Sequence, residues 1–83
     1  MKKITVYTKN RCPECEKIKF NLGYLPQEVL DKHTIEYRNI EEYKGYAEEL
    51  AELGYQSVPV TIVEGHEPIV GFEFGQIQEA VGL

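Results

Sequence analysis

The chain has 83 residues, of which 42% are hydrophobic and 28% are charged, and its net charge is −5. This length is that of one domain, here residues 1–83, and the composition excludes a disordered or collagen-like protein. No apolar run approaches the roughly 18–20 residues that span a bilayer, and the acidic total argues against nucleic-acid binding, so we expect neither a membrane protein nor a nucleic-acid-binding protein.

The chain begins with a predicted strand and a predicted helix, with Cys12 and Cys15 near their junction. Residues 3–8 are β-branched and aromatic, which favours a strand. Pro13 suits the first turn of a helix, where its missing N–H costs nothing, and Gly23 predicts the end of that helix. Cys12 is therefore expected at the helix N-terminus, just beyond the carboxyl end of the strand, where open α/β sheets place their ligand sites.

The rest of the sequence predicts a short helical piece, two longer helices and three strands from its pattern of apolar residues. The strands are expected near 34–39, 58–63 and 67–70, the helical piece at 25–30, and the helices near 43–53 and 74–82. Apolar residues of the helix at 43–53 have the spacing of a buried stripe, which comprises Tyr43, Tyr46, Ala47, Leu50 and Ala51. The last helix is expected to close on Ile77, Val81 and Leu83.

This order of elements predicts the fold class. Two strands joined by so short a helical crossover are parallel, whereas the two strands joined by the tight turn at 64–66 are antiparallel. We therefore predict an α/β fold in the order β-α-β-α-β-β-α, with a four-stranded mixed sheet flanked by helices.

Charge is unevenly distributed along the chain. Residues 1–39 carry 8 Lys/Arg and 5 Asp/Glu, whereas residues 40–83 carry 1 and 9. The basic half can form a local patch for a small anionic ligand, and the alternative is a solvated surface with an accidental bias.

The start of the chain turns polar at Thr8, too early for a signal peptide, so we expect a cytoplasmic protein rather than a secreted disulfide-framework protein. We also expect a monomer.

Cys12-Pro13-Glu14-Cys15 is a C-x-x-C motif, and its spacing suits thiol–disulfide exchange. Such exchange needs one thiolate that attacks and a second thiol that releases the mixed disulfide. The helix N-terminus stabilises a thiolate at Cys12, and Cys15 lies one turn further in, so Cys12 is predicted to attack and Cys15 to resolve. Lys9 and Arg11 are expected to lower the pKa of Cys12, and Glu14 to oppose them.

Two other interpretations of the cysteine pair stay open. Zinc needs four ligands, and His33 and His66 would have to complete a Cys₂His₂ site, although their positions lack ligand-pair spacing. We therefore expect surface histidines and no metal. The second alternative is a redox-inert interaction module that keeps the fold without turnover.

The chain resembles a glutaredoxin. The run from Val6 to Cys15 is similar to the active-site strand and C-P-Y-C loop of that family, with Glu14 in place of tyrosine. Ser57-Val58-Pro59 is similar to its T-V-P segment. The resemblance implies a thioredoxin-like fold, a dithiol oxidoreductase of protein disulfides and a cis bond before Pro59, whereas the residues alone favour a trans bond.

The resemblance also implies roles for individual residues. Lys9 matches a lysine that approaches the glycine carboxylate of glutathione, Val58 matches the residue whose backbone pairs with the glutathione cysteine, and Tyr7 is expected beside the dithiol. No cofactor is implied to be tightly bound, and glutathione enters as a co-substrate. The residues expected to bind substrate or glutathione are Tyr7, Lys9, Arg11, Pro13, Val58, Pro59, Gly71 and Phe72.

One segment departs from the glutathione-binding pattern. Those members carry Gly-Gly followed by Ser, Thr or Asp before the last helix, where this chain has Gly71-Phe72-Glu73-Phe74-Gly75. Gly71-Phe72 instead resembles NrdH-type redoxins, which take electrons from thioredoxin reductase and pass them to ribonucleotide reductase, and phage-encoded glutaredoxins mix these features. Glutathione and thioredoxin reductase are both candidate electron sources, and ribonucleotide reductase is a candidate partner.

Overall fold

The computed structural model describes residues 1–83 as one four-stranded sheet with helices on both faces. The strand order is β2-β1-β3-β4, in which β1 is parallel to β2 and antiparallel to β3, and β3 is antiparallel to β4. The predicted α/β class and the mixed four-stranded sheet are confirmed. In chain order the elements are β1 (Lys2–Thr8), α1 (Pro13–Leu22), α2 (Gln27–Asp31), β2 (His33–Asn39), α3 (Lys44–Glu52), β3 (Val60–Val63), β4 (Ile69–Val70) and α4 (Phe74–Ala80).

The central strand β1 leads the chain to the cysteines. Its last five residues, 4–8, are all buried, because the sheet is covered on both faces. Ile4 pairs with Ile35 of β2 and with Val63 of β3, and Tyr7 pairs with Val60. Since successive side chains of a strand point to opposite faces, Ile4 and Tyr7 contribute to different sides of the core.

The larger side of the core is apolar and holds α1 in place. Ile18 and Leu22 of α1 are fully buried, and Cys15 lies on the same stripe at the i, i+3, i+7 spacing. They fix the rotation of α1 and therefore the position of its first turn. The cluster comprises nine buried residues: Ile4, Val6, Ile18, Leu22, Leu25, Val29, Val63, Ile69 and Ile77.

On the other side of the sheet, under α3, the buried hydrophobic cluster has only three residues, Tyr7, Leu50 and Val60. The stripe expected on α3 is therefore too wide, since Tyr43 and Ala51 are exposed. Leu83 is exposed as well.

Most element boundaries lie within two residues of the prediction. The strand expected from residue 58 starts at Val60, because Pro59 has no N–H for the ladder. Gly54 and Gly65 adopt positive φ angles of 93° and 90°, which end α3 and shape the β3–β4 turn. None of the four helices has the length and apolar character that crossing a membrane requires.

Candidate active site

Cys12 is the N-cap of α1, and its sulfur is engaged by the first turn of that helix. Its backbone is extended, with φ −118° and ψ 98°, and Pro13 follows as the first helical residue. The backbone N–H of Cys15 donates to the Cys12 sulfur at 3.2 Å. Cys12 and Cys15 form a disulfide, and their Cα atoms are 5.2 Å apart. The expected place of the motif at the helix N-terminus is confirmed.

The two cysteines differ in exposure. Cys12 is 7% exposed, whereas Cys15 has no exposed surface and lies on the buried stripe of α1. Access from solvent is therefore through Cys12. This asymmetry agrees with an attacking Cys12 and a resolving Cys15, although the roles themselves stay predictions.

The loop before Cys12 is held by the segment that follows β2. The Asn39 side-chain amide donates to Asn10 Oδ1 at 3.0 Å, and the Asn10 N–H donates to Glu41 Oε1 at 2.8 Å. Arg11 adopts a left-handed conformation with φ 55°, which turns the chain into α1. Asn39 and Glu41 were missed by sequence reasoning because they approach the loop only through the parallel pairing of β1 with β2.

An open groove of about 460 Å³ adjoins Cys12, and we call it the dithiol groove. Three of the predicted site residues line it beside Cys12, namely Lys9, Arg11 and Pro13. Lys19 adds a third cation that sequence reasoning missed, and Glu16 is the single carboxylate. The full lining is Thr8, Lys9, Asn10, Arg11, Cys12, Pro13, Glu16, Lys19 and Asn39.

A second group of predicted residues is held together around Pro59. The bond between Val58 and Pro59 is cis, as the resemblance implied. The N–H of Gly71 donates to the carbonyl of Pro59 at 2.8 Å, and Gly71 adopts φ 82°, which favours glycine. Val58 packs against the core under α3, and Phe72 packs against the larger core. None of these four residues lines the dithiol groove.

The segment that departs from the glutathione-binding pattern forms the start of α4. Glu73 is its N-cap residue, makes no side-chain cap hydrogen bond and is exposed. Phe72 and Phe74 are half-buried against the larger core, and Lys17 Nζ lies 5.7 Å from the centroid of the Phe72 ring. This segment thus presents a carboxylate, while its two phenyl rings are largely committed to packing.

Tyr7 takes part in a polar network on the α3 side of the sheet and does not line the dithiol groove. Its hydroxyl donates to Glu49 Oε1 at 3.0 Å and accepts from Arg38 Nη1 at 3.3 Å. Burial, reinforced by the hydrogen bond to Glu49, raises the pKa of Tyr7. Its expected place beside the dithiol stays a prediction.

The two histidines do not converge on the cysteines. His33 places Nδ1 2.7 Å from the carbonyl of Val29, and His66 lies in the β3–β4 turn. No three His, Cys, Asp or Glu side chains of the chain gather as a metal site.

Comparison with known proteins gives a consistent family and fold. The family model described as Glutaredoxin matches residues 4–67. The glutaredoxin-like protein NrdH of Lactococcus lactis subsp. cremoris (strain MG1363) is 32% identical over 59 residues, which cover 69% of this chain and 71% of that protein.

Two solved structures are similar to this chain in fold. The glutaredoxin-like NrdH-redoxin of Escherichia coli, whose activity profile is described as thioredoxin-like, has a TM-score of 0.68 and 26% identity over 93% of this chain and 92% of that one. The thioredoxin-like protein BC3987 has a TM-score of 0.76 and 23% identity over 93% of this chain and 97% of that one. The predicted thioredoxin-like fold is confirmed.

Proposed function

Since the chain belongs to the glutaredoxin family, we propose that it is a thiol–disulfide oxidoreductase that reduces protein disulfides through Cys12 and Cys15. The observation that carries this proposal is the placement of Cys12 as the N-cap of α1, disulfide-bonded to the fully buried Cys15. The cytoplasm, where thiols are kept reduced, is the compartment that suits such a dithiol.

The reaction proceeds in two exchange steps. In the reduced protein the Cys12 thiolate attacks one sulfur of the target disulfide, which forms a mixed disulfide and releases the other target sulfur as a thiolate. The Cys15 thiolate then attacks the Cys12 sulfur and releases the second target thiol. Two electrons pass to the target, and the protein is left with the Cys12–Cys15 disulfide.

The first turn of α1 favours the attacking thiolate. A free cysteine with a pKa of about 8.5 is only about 3% thiolate at pH 7. The N–H of Cys15 already points at the Cys12 sulfur, and a helix N-terminus stabilises an anion by up to about 2 kcal/mol. Lys9 and Arg11 in the dithiol groove act in the same direction.

No tightly bound cofactor or metal takes part in this proposal, so the electrons for the next cycle come from a second protein or from glutathione. Glu73 places a carboxylate at the segment where glutathione-binding relatives hold the anionic γ-glutamyl end. A missing charge-assisted hydrogen bond costs about 1.5–3 kcal/mol, or roughly 10–150-fold in affinity. We therefore propose that the protein binds glutathione weakly. A thioredoxin-reductase-type flavoenzyme is then the proposed direct reductant of the Cys12–Cys15 disulfide.

The NrdH relatives support the same choice. An NrdH protein and an NrdH-redoxin are among the similar proteins, and the latter is described as having a thioredoxin-like activity profile. By that resemblance, ribonucleotide reductase is the proposed protein partner.

The experiment follows NADPH oxidation against a protein disulfide in two parallel mixtures. One mixture contains glutathione with glutathione reductase, and the other contains thioredoxin reductase alone. We expect fast NADPH oxidation in the mixture with thioredoxin reductase. A Cys12→Ser variant is expected to show no turnover in either mixture.

Turnover only with glutathione would make the protein an ordinary glutathione-dependent glutaredoxin. Absence of turnover in both mixtures, together with no reduction of the target by the pre-reduced protein, would favour the redox-inert interaction module.

A further inference from the structure

The outer side of α1 and the turn that follows it carry an exposed aromatic pair that the catalytic cysteines do not explain. Phe20 is 65% exposed and the neighbouring Tyr24 is 76% exposed, and their ring centroids are 4.8 Å apart. Next to them, Lys19 Nζ lies 5.2 Å from the centroid of the Tyr37 ring. Exposed aromatic side chains are typical of protein interaction surfaces.

This aromatic pair is connected to the cysteines by a continuous surface. A second open groove, of about 550 Å³, is lined by Glu16, Lys17, Lys19, Phe20 and Asn21. Glu16 and Lys19 also line the dithiol groove, so the two grooves adjoin. Cys12, Glu16, Lys19 and Phe20 follow the i, i+4, i+7, i+8 spacing of one helix stripe. We call this surface, from Cys12 to Phe20, the α1 trough.

The length of the α1 trough specifies a spacing in the molecule that fills it. Phe20 lies eight positions after Cys12, which is about 12 Å along a helix. An extended peptide advances about 3.3 Å per residue. A side chain four residues from a cysteine that meets Cys12 therefore reaches Phe20, since it points to the same face of the extended peptide as the cysteine.

The charges of the α1 trough specify the sign of its occupant. Lys9, Arg11 and Lys19 face the dithiol groove, and Glu16 is the one carboxylate among them. This excess of cations stands out in a protein whose net charge is −5. Charge complementarity favours an acidic segment whose carboxylates lie on the lysine and arginine side of the groove, away from Glu16.

We propose that the α1 trough docks an acidic, extended segment of the protein substrate, with an apolar side chain four residues from its reactive cysteine packed on Phe20. This inference rests on the proposed oxidoreductase function and names the substrate class of that site. It adds to the Cys12 chemistry a surface that selects among disulfides.

The test uses the pre-reduced full chain in single turnover, so that no electron source is needed. The probes are single-cysteine peptides joined to thionitrobenzoate by a disulfide; attack of Cys12 on the peptide sulfur releases the coloured thionitrobenzoate. Peptides with Asp/Glu or Asn/Gln flanks are each made with Leu or Ala four residues from the cysteine. A small disulfide without a peptide is the reference substrate.

Phe20→Ala is expected to lower the rate for the acidic Leu peptide, relative to the small disulfide, by about 5–10-fold. Tyr43→Ala is the matched control, because Tyr43 is also an exposed aromatic packed against a neighbouring ring, with its centroid 4.9 Å from that of Tyr46, but lies at the start of α3. Lys19→Glu is expected to reduce the preference for acidic over neutral flanks about 3–10-fold at low salt, whereas Lys44→Glu leaves that preference unchanged.

Three results would overturn the inference. In the first, Phe20→Ala and Tyr43→Ala have the same ratio of the rate for the acidic Leu peptide to the rate for the small disulfide, and the wild type reacts equally fast with acidic and neutral peptides. Another is self-association of the wild type in sedimentation that Phe20→Ala abolishes, which would assign the α1 trough to a second copy. The third is no thionitrobenzoate release from any probe, which would overturn the proposed function itself and the docking inference with it.

Discussion

The two faces of the sheet are stabilised in different ways. Under α1 and α4, nine buried apolar residues form one cluster, whereas the α3 side has a cluster of three buried apolar residues and a charged network around Arg38. Arg38 donates to Glu49 at 2.6 Å and also bonds Glu36 and Tyr7. The face that positions the cysteines thus depends on close packing, which fixes α1, whereas the opposite face combines a smaller apolar cluster with ion pairs that are sensitive to pH and salt.

A matched pair of leucine truncations tests this contrast most strongly. Leu22 is fully buried in the nine-residue cluster, and Leu50 is 2% exposed in the three-residue cluster. We expect Leu22→Ala to lower the free energy of unfolding by about 3–5 kcal/mol and Leu50→Ala by about 2–3 kcal/mol, because the half-buried neighbours of Leu50 can collapse into the space. Urea unfolding of the reduced proteins measures both, and equal losses would remove the contrast.

Removing Arg38 should weaken the α3 side by a smaller amount. We expect Arg38→Met to lower the free energy of unfolding by about 1–2 kcal/mol, since Glu36, Glu49 and Tyr7 lose a shared donor at a partly exposed site. Lys44→Met is the control, because Lys44 makes no ion pair in the structure, and a change within about 0.5 kcal/mol is expected. A similar loss in both variants would mean that the network adds nothing.

The same network predicts a pH dependence. Hydrogen bonds from Arg38 and then Lys3 lower the pKa of Glu36 to about 2 from 4.5. A depressed carboxyl pKa stabilises the folded state above the unfolded pKa, and that stability is lost as pH falls from about 4.5 towards 2. Wild type should therefore exceed Glu36→Gln in stability at pH 7, and their difference should shrink across that acidic window. A difference that is constant from pH 7 to pH 2.5 would show that ionised Glu36 does not stabilise the fold.

On the α1 side, the carboxylate of Glu14 is expected to work against the thiolate of Cys12. Glu14 lies in the first turn of α1, and a carboxylate about 7 Å from a thiolate costs on the order of 0.5–2 kcal/mol at an effective dielectric of 20–80. Glu14→Tyr should therefore lower the pKa of Cys12 in the reduced protein by less than about 1.5 units, and less still in 1 M salt. Thiolate absorbance against pH measures it, with Glu28→Tyr in α2 as control. An unchanged or raised pKa would show that Glu14 points away.

The smallest expected effect concerns the one orphaned hydroxyl in the sheet. Thr61 of β3 is fully buried, and its Oγ1 has no hydrogen-bond partner. Thr61→Val should raise the free energy of unfolding by about 1 kcal/mol, because it removes an unsatisfied polar atom at nearly constant volume. The exposed Thr34→Val on β2 is the control. A destabilised Thr61→Val would reveal a partner that the hydroxyl finds in solution.

The sequence predicted the α1 side better than the α3 side. Cys12 at a helix N-terminus and a helix held by Ile18 and Leu22 follow from local signals, namely Pro13 and a periodic stripe. The spacing of apolar residues on α3 predicts which face of the helix packs on the sheet, but not how wide the buried stripe is. Tyr43 and Ala51 were therefore assigned to the core, although both are exposed.

Long-range contacts explain what sequence reasoning missed at the site. Arg38, Glu49 and Tyr7 are separated by up to 42 residues, and nothing in their local patterns links them. Lys19 lines the dithiol groove because the turn of the helix places it on the same side as Cys12. The sequence signal for this was its position seven residues after Cys12, which lies on the same helix face.

The order in which the two cysteines react tests the proposed chemistry most directly. Reduced protein is treated at pH 6 with limiting iodoacetamide, and the labelled residue is identified by peptide mass mapping. The N-cap position and residual exposure of Cys12, against the full burial of Cys15, predict that Cys12 is labelled first. Equal labelling of the two cysteines, or preferential labelling of Cys15, would contradict the assignment of Cys12 as the attacking residue.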